Sequence, residues 1–193
     1  ANFISACLEE KIFRKQFSMF QNNQFSTYLF GGAHYEKSFA KDLLDRESNV
    51  ILLDEFDKAH PTFHSAFYQL FDEGIFEDQN YIVQLKKSVI ICTSNYKDED
   101  EIRKELGDAI FNRFDVVIGF NELSEDAKLK IMEMSISKVQ MKYKEEKGIE
   151  MSEQYLDSLK SVAVKCRNAR EIHHLVSDTF ALYYIKQICS DEC

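Results

Sequence analysis

The chain has 193 residues, 45% hydrophobic and 30% charged, with a formal net charge of −9. This is the balance of an ordinary globule, long enough for one full domain or one domain with a small appendage. The acidic charge argues against general affinity for nucleic acid, and no apolar run reaches the roughly eighteen residues that a membrane-spanning helix needs.

The chain opens at Ala1 with no basic-then-apolar leader, so no secretory signal is expected, and the abrupt start reads as a processed or cut end. Residues 1–16 predict a helix, with Phe3, Ile4, Cys7, Leu8, Ile12 and Phe13 at helical spacing. Residues 17–37, rich in Asn and Gln and holding Gly31-Gly32, predict largely loop. A short helix is expected over 38–46. Val50–Leu53 is a short continuous apolar run, the pattern of a strand buried on both faces, and it ends abruptly in Asp54 and Glu55. After Pro61, the spacing of Phe63, Ala66, Phe67, Leu70 and Phe71 predicts a helix stopped at Gly74. That stripe is read as core. "SVIICTSN" predicts a second buried strand, residues 101–112 a charged helix, and "VVIGF" at 116–120 a third strand. Strands alternating with helices imply an α/β fold with a largely parallel sheet.

The pattern changes near Asn121. Ser124 caps a long amphipathic helix, and two further helices follow. The expected division is an α/β part over 1–121 and a small helical part over 122–193. The five cysteines, Cys7, Cys92, Cys166, Cys189 and Cys193, are odd in number and lack C-x-x-C spacing, which fits a reducing, cytoplasmic setting. Cys92 lies in an apolar run and reads as a buried hydrophobe.

Ligands of open parallel sheets bind at the carboxyl ends of the strands. Asp54 and Glu55 stand there. Paired acids at the end of a buried strand need a cation or solvent. A magnesium–phosphate site would use the first acid to organise Mg²⁺ and its waters and the second to polarise an attacking water. The plainer alternative is a strand ending in a solvated loop. Asn95 follows the next strand to the same edge, where an amide can donate one hydrogen bond and accept another. Arg113 in "FNRFD" and Arg170 in "NAREI" carry the planar, permanently charged fork that suits phosphate, although either alone also fits a surface ion pair.

The run "NVILLDEFDKAHPTFHSAFYQLFDEGIFED", with "KKSVIICTSNY" and "AIFNRFDVVIGFNELSEDAKLKI" after it, resembles the Clp family of AAA+ protein-unfolding ATPases, in particular the second ATPase module of ClpA/ClpB-type proteins. The resemblance runs from about residue 17 to 185. It implies a three-layer P-loop-NTPase-like fold truncated at its start, with a helical lid. It implies ATP and Mg²⁺ as cofactors, with Asp54 and Glu55 as the Walker B acids, Asn95 as sensor 1, Arg113 as an arginine finger reaching a neighbouring subunit, and Arg170 as the lid's sensor 2. It further implies a hexameric homo-oligomer acting on unfolded polypeptide, with a partner peptidase as an additional expectation and neither nucleic acid nor membrane as a partner.

Gly31, Glu36, Lys37 and Ser38 spell a near-match to the phosphate loop G-x-x-x-x-G-K-[ST]. Lys37 precedes Asp54 by only 17 residues, too few for the helix and strand that must intervene, and Glu36 would oppose phosphate. By alignment with the family, this stretch falls instead on the first pore loop, with Phe30-Gly31-Gly32 as the grip and Tyr35 as the alternative. The other reading makes Phe30 a core residue. A second pore loop is expected near Glu73–Gln79. The family's phosphate loop would lie ahead of Ala1, so the isolated chain is expected to bind ATP weakly and to be inactive alone. A pseudo-ATPase that keeps the shape for assembly is the alternative, and an AAA+ DNA-transaction loader is a weaker third. His60 and His64 share i, i+4 spacing but no third metal ligand accompanies them. Pro61 at the first helical position puts His60 outside the helix.

Overall fold

An uninterrupted apolar tetrapeptide must be covered on both faces, and the computed structural model places Val50–Leu53 in the middle of a parallel sheet. Residues 1–19, 24–148 and 150–191 are described. They divide into two compact units, Ala1–Gly119 and Phe120–Cys193.

In the first unit, α1 (Asn2–Leu8) leads to β1 (Ile12–Gln16), α2 (Gln24–Phe30), α3 (Phe39–Leu44) and β2 (Val50–Asp54). A 3₁₀ segment, Pro61–Phe67, runs into α4 (Tyr68–Glu73), the hairpin strands β3 (Ile75–Glu77) and β4 (Ile82–Gln84), β5 (Val89–Cys92), α5 (Glu99–Leu106) and α6 (Asp108–Phe111). The parallel sheet has the order β1-β2-β5. Gln16 pairs with Asp54 and Leu53 with Cys92, so all three strands end at one edge. Val50, Ile51 and Leu53 are fully buried.

One face of the sheet rests on an aromatic core of Phe17, Phe25, Phe39, Phe56, Phe67 and Phe76. Gly74 ends α4 in the left-handed region at φ 70°, where its added Cβ would stand 3.1 Å from the Leu85 carbonyl. A side chain there would meet both costs.

Four expectations are corrected. The helix over 1–16 stops at Leu8, capped by left-handed Glu9, and residues 12–16 form β1. Ile12 and Phe13 satisfy either period over so short a stretch, and pairing with β2 decides it. Residues 24–30 are helix rather than loop. The expected helix over 101–112 is two pieces, broken at Gly107 with φ 81° and ψ 155°. "VVIGF" forms no strand among the described residues, and Val116, Ile118 and Phe120 are exposed. An apolar run signals a need for burial; it does not supply the neighbouring strand that would provide it.

The second unit is helical: α7 (Glu125–Lys147), α8 (Glu153–Val162) and α9 (Ala169–Asp191). Ser124 caps α7 by accepting the Ala127 amide at 3.2 Å. Met132, Ile136, Leu159, Ile172, Val176 and Phe180 form its core, while Met134 and Met141 are exposed. Among the described residues no helix is long and apolar enough to cross a membrane.

The cysteines divide by surroundings. Cys7 and Cys189 are exposed and Cys166 is buried, while burial pushes the Cys92 thiol up to about 12. Cys193 lies outside the described residues. Only the thiolate attacks disulfide reagents. At pH 7.5 an aromatic disulfide reagent is expected to label Cys7 and Cys189 quickly, and Cys92 and Cys166 only after denaturation. Peptide mapping that finds Cys92 among the fast sites would contradict this burial.

Candidate functional site

The carboxyl ends of β2 and β5 are joined by one side chain. Thr93, the first residue past β5, donates its amide to the Leu53 carbonyl at 3.1 Å and accepts the Phe56 amide on its own carbonyl at 2.8 Å. Its hydroxyl donates to Asp54 Oδ1 at 2.5 Å and accepts the Glu55 amide at 3.0 Å. Both capacities of the hydroxyl are thereby used to fix the two acids. Glu55 sits in the left-handed region at φ 55° and ψ 45°, a conformation that costs a non-glycine residue on the order of 1 kcal/mol. The Thr93 bonds hold that turn in place.

The third strand reaches the same edge. Arg14 Nε donates to Asp54 Oδ2 at 3.0 Å, with Nη2 engaged on the same oxygen. Gln16 Nε2 donates to Glu55 Oε2 at 2.9 Å and lies 3.1 Å from the Ser18 hydroxyl. The Thr93 hydroxyl first, and Arg14 after it, hold the Asp54 carboxyl below the usual range despite its burial penalty. Hydrogen bonds from Ser18 and then Gln16 do the same for Glu55. Both acids are therefore ionised at neutral pH. Two ionised carboxylates beside hydroxyl groups form a hard-oxygen donor set that suits Mg²⁺, and Asp54 already draws one cationic group. The two carboxylates fit that ion as a partial donor set, to be completed by oxygen ligands other than this chain's acids, since no third acid, histidine or cysteine joins them among the described residues. A cleft of about 680 Å³ opens beside Asp54, lined by Phe3, Ile12, Arg14 and Leu52 together with Ala1 and Asn2.

Asn95 is exposed on the loop two residues beyond Thr93. Arg113 is held elsewhere in the first unit. It donates from Nε to Asp72 at 2.8 Å, pairs through Nη2 at 2.7 Å, bonds the Ala109 carbonyl, and lies over the Tyr68 ring at 4.6 Å. Arg170 is exposed at the start of α9 in the second unit.

Residues 31–38 connect helix α2 to helix α3, whereas a phosphate cradle follows a strand. Gly31 adopts φ 84°, and its turn is tied to the β3–β4 hairpin by Gln79 N to Phe30 O at 3.0 Å and Asn80 Nδ2 to Gly32 O at 2.9 Å. Phe30 is partly covered, its ring 5.9 Å from that of Phe63, whereas Tyr35 is 87% exposed. The expected second loop, Glu73–Gln79, holds Gly74 and β3.

His60 caps the 3₁₀ segment, and His64 is buried with its Nε2 unpartnered. Among the described residues no cluster of three or more His, Cys, Asp or Glu could hold a metal ion.

The family model described as AAA domain (Cdc48 subfamily) matches residues 30–159. The chain belongs to this family. Its parallel sheet with flanking helices and a helical part is consistent with the α/β P-loop-like fold. Among curated proteins, the ATP-dependent Clp protease ATP-binding subunit ClpL of Staphylococcus aureus strain bovine RF122 / ET3-1 is 33% identical over 116 residues, 54% of this chain. The ClpL of strain USA300 is 32% identical over 115 residues, 53% of this chain. The chain spans 16% of the length of each relative.

In this member of the AAA domain family, the two acids are bonded by Thr93, Arg14, Gln16 and Ser18, none of which the sequence patterns single out. The signal for Arg14 and Gln16 is a polar residue on every other position of β1, whereas Ser18 lies in the 3₁₀ turn that follows it.

Proposed function

We propose that Asp54, Glu55, Thr93 and Asn95 form the metal- and water-handling half of an ATP-hydrolysing site, and that the chain is part of a Clp-type AAA+ motor that remodels polypeptides. The observation that carries this reading is two ionised acids at the end of β2, fixed by the hydroxyl of Thr93 at the end of the parallel neighbour β5.

Mg²⁺, when bound, supplies charge neutralisation at the phosphates. Asp54, fixed by Thr93, would hold it. Glu55, ionised and tethered by Gln16, would take a proton from the attacking water. Asn95 would orient that water. Arg113 would reach the phosphates of a neighbouring copy in a hexamer by leaving Asp72 and the Ala109 carbonyl, which hold it here. Arg170 would contact the phosphates from the lid. Tyr35, and Phe30 beside Gly31, would grip unfolded polypeptide. A partner peptidase and a cytoplasmic setting belong to the same proposal.

The reading is tested on a polypeptide that joins a phosphate-binding loop to residues 1–193. Asn95→Ala is expected to lower its steady-state ATP turnover by about 10²-fold, the scale of losing one polar transition-state contact. Unchanged turnover would remove Asn95 from the site.

A further inference from the structure

The reading above leaves Arg14 without a role, although it contacts the acid assigned to the metal. We propose that Arg14 is an internal counter-cation that shares Asp54 with a divalent metal, so that metal binding displaces it. This inference rests on the assignment of Asp54 as a metal-holding acid.

Asp54 Oδ1 is committed to the Thr93 hydroxyl, and Oδ2 receives both Nε and Nη2 of Arg14. Arg14 and Asp54 both line the cleft, so a metal that takes Asp54 Oδ2 from it competes with Arg14 for that oxygen. Arg14 stands opposite Leu52 in the sheet register, so its side chain extends along the strand direction to reach Asp54. The Arg14 side chain is 57% exposed and that of Asp54 20% exposed. The Arg14 half of the pair is open to water, so its guanidinium can exchange into solvent while Asp54 stays in place. Without metal the guanidinium keeps Asp54 compensated. With metal it is released into the same cleft, where its fork suits a phosphate oxygen.

The test uses the 193-residue chain and Mn²⁺ as the probe, titrated by water-proton relaxation. Asp54→Asn is expected to remove a component of Mn²⁺ binding. Arg14→Gln is expected to tighten that component roughly two- to fivefold, the range that an exposed ion pair commands. Arg14→Lys should stay near the wild type, because it restores the charge. Lys11→Gln removes an exposed positive charge paired with Glu47 rather than Asp54 and should also stay near the wild type.

If Asp54→Asn leaves Mn²⁺ binding unchanged, the metal-site reading fails and this proposal with it. If Asp54→Asn weakens binding but Arg14→Gln does not strengthen it, the proposal alone is overturned. Equal strengthening by Lys11→Gln would assign the effect to net charge and overturn it as well.

Discussion

Glu55→Gln is expected to lower ATP turnover by about 10²- to 10⁴-fold, the contribution of a positioned general base, while nucleotide affinity stays within about twofold of the wild type by the logic of ground-state binding. The assay is run on a polypeptide carrying a phosphate-binding loop ahead of residues 1–193. The structure explains why the variant should be clean. Glu55 accepts from Gln16 Nε2 at 2.9 Å, and an amide oxygen can accept the same bond. Its backbone turn is held by the Thr93 hydroxyl and carbonyl, which the substitution does not touch. What disappears is the negative charge and its capacity to take a proton. Glu47, an acid with a 78% exposed side chain, provides the control, and Glu47→Gln should leave turnover unchanged. A Glu55→Gln protein that turns over at the wild-type rate would remove Glu55 as the base and leave the rim a structural feature.

The acids were legible in the sequence because their signal is local. Four consecutive apolar residues followed by two carboxylates predict a buried strand and its end without knowledge of any neighbour. The groups that bond the two acids are not legible in the same way. Arg14 and Gln16 meet Asp54 and Glu55 across about forty residues of chain, through the register of β1 on β2. No window of local periodicity contains that register. The segment "KIFRKQF" places apolar residues where a helix would also accept them, so β1 was hidden, and with it two of the residues that contact the acids. "VVIGF" shows the opposite limit: its apolar content is plain, but pairing is a property of two segments. Arg113 shows a third limit. Its guanidinium is drawn to Asp72 by the packing of α4, and nothing in "FNRFD" names that partner.

The second large effect is on stability. Phe67→Ala is expected to destabilise the first unit by about 3–5 kcal/mol and to lower its melting temperature by on the order of 10–20 °C. Phe67 is fully buried. Its ring meets Phe17 at 5.5 Å, Phe39 at 5.8 Å, Phe56 at 5.2 Å, Phe71 at 5.9 Å and Phe76 at 6.0 Å. Five aromatic neighbours cannot all close over the space that one ring leaves, so the cavity cost adds to the lost burial. The consequence also reaches the rim. Phe56 follows Glu55 directly, and its amide is part of the Thr93 staple. Loosening the Phe56 ring therefore loosens the turn that holds Glu55 at positive φ, so Phe67→Ala should reduce any Mn²⁺ binding that depends on Asp54. Phe67→Leu keeps most of the volume and is expected to cost under about 1.5 kcal/mol. Tyr35→Ala changes an exposed ring and should stay within about 0.5 kcal/mol of the wild type. Circular dichroism melts of the three variants check the order. A Phe67→Ala melt within about 3 °C of the wild type, against the shift that burial demands, would mean that these rings do not pack as one core.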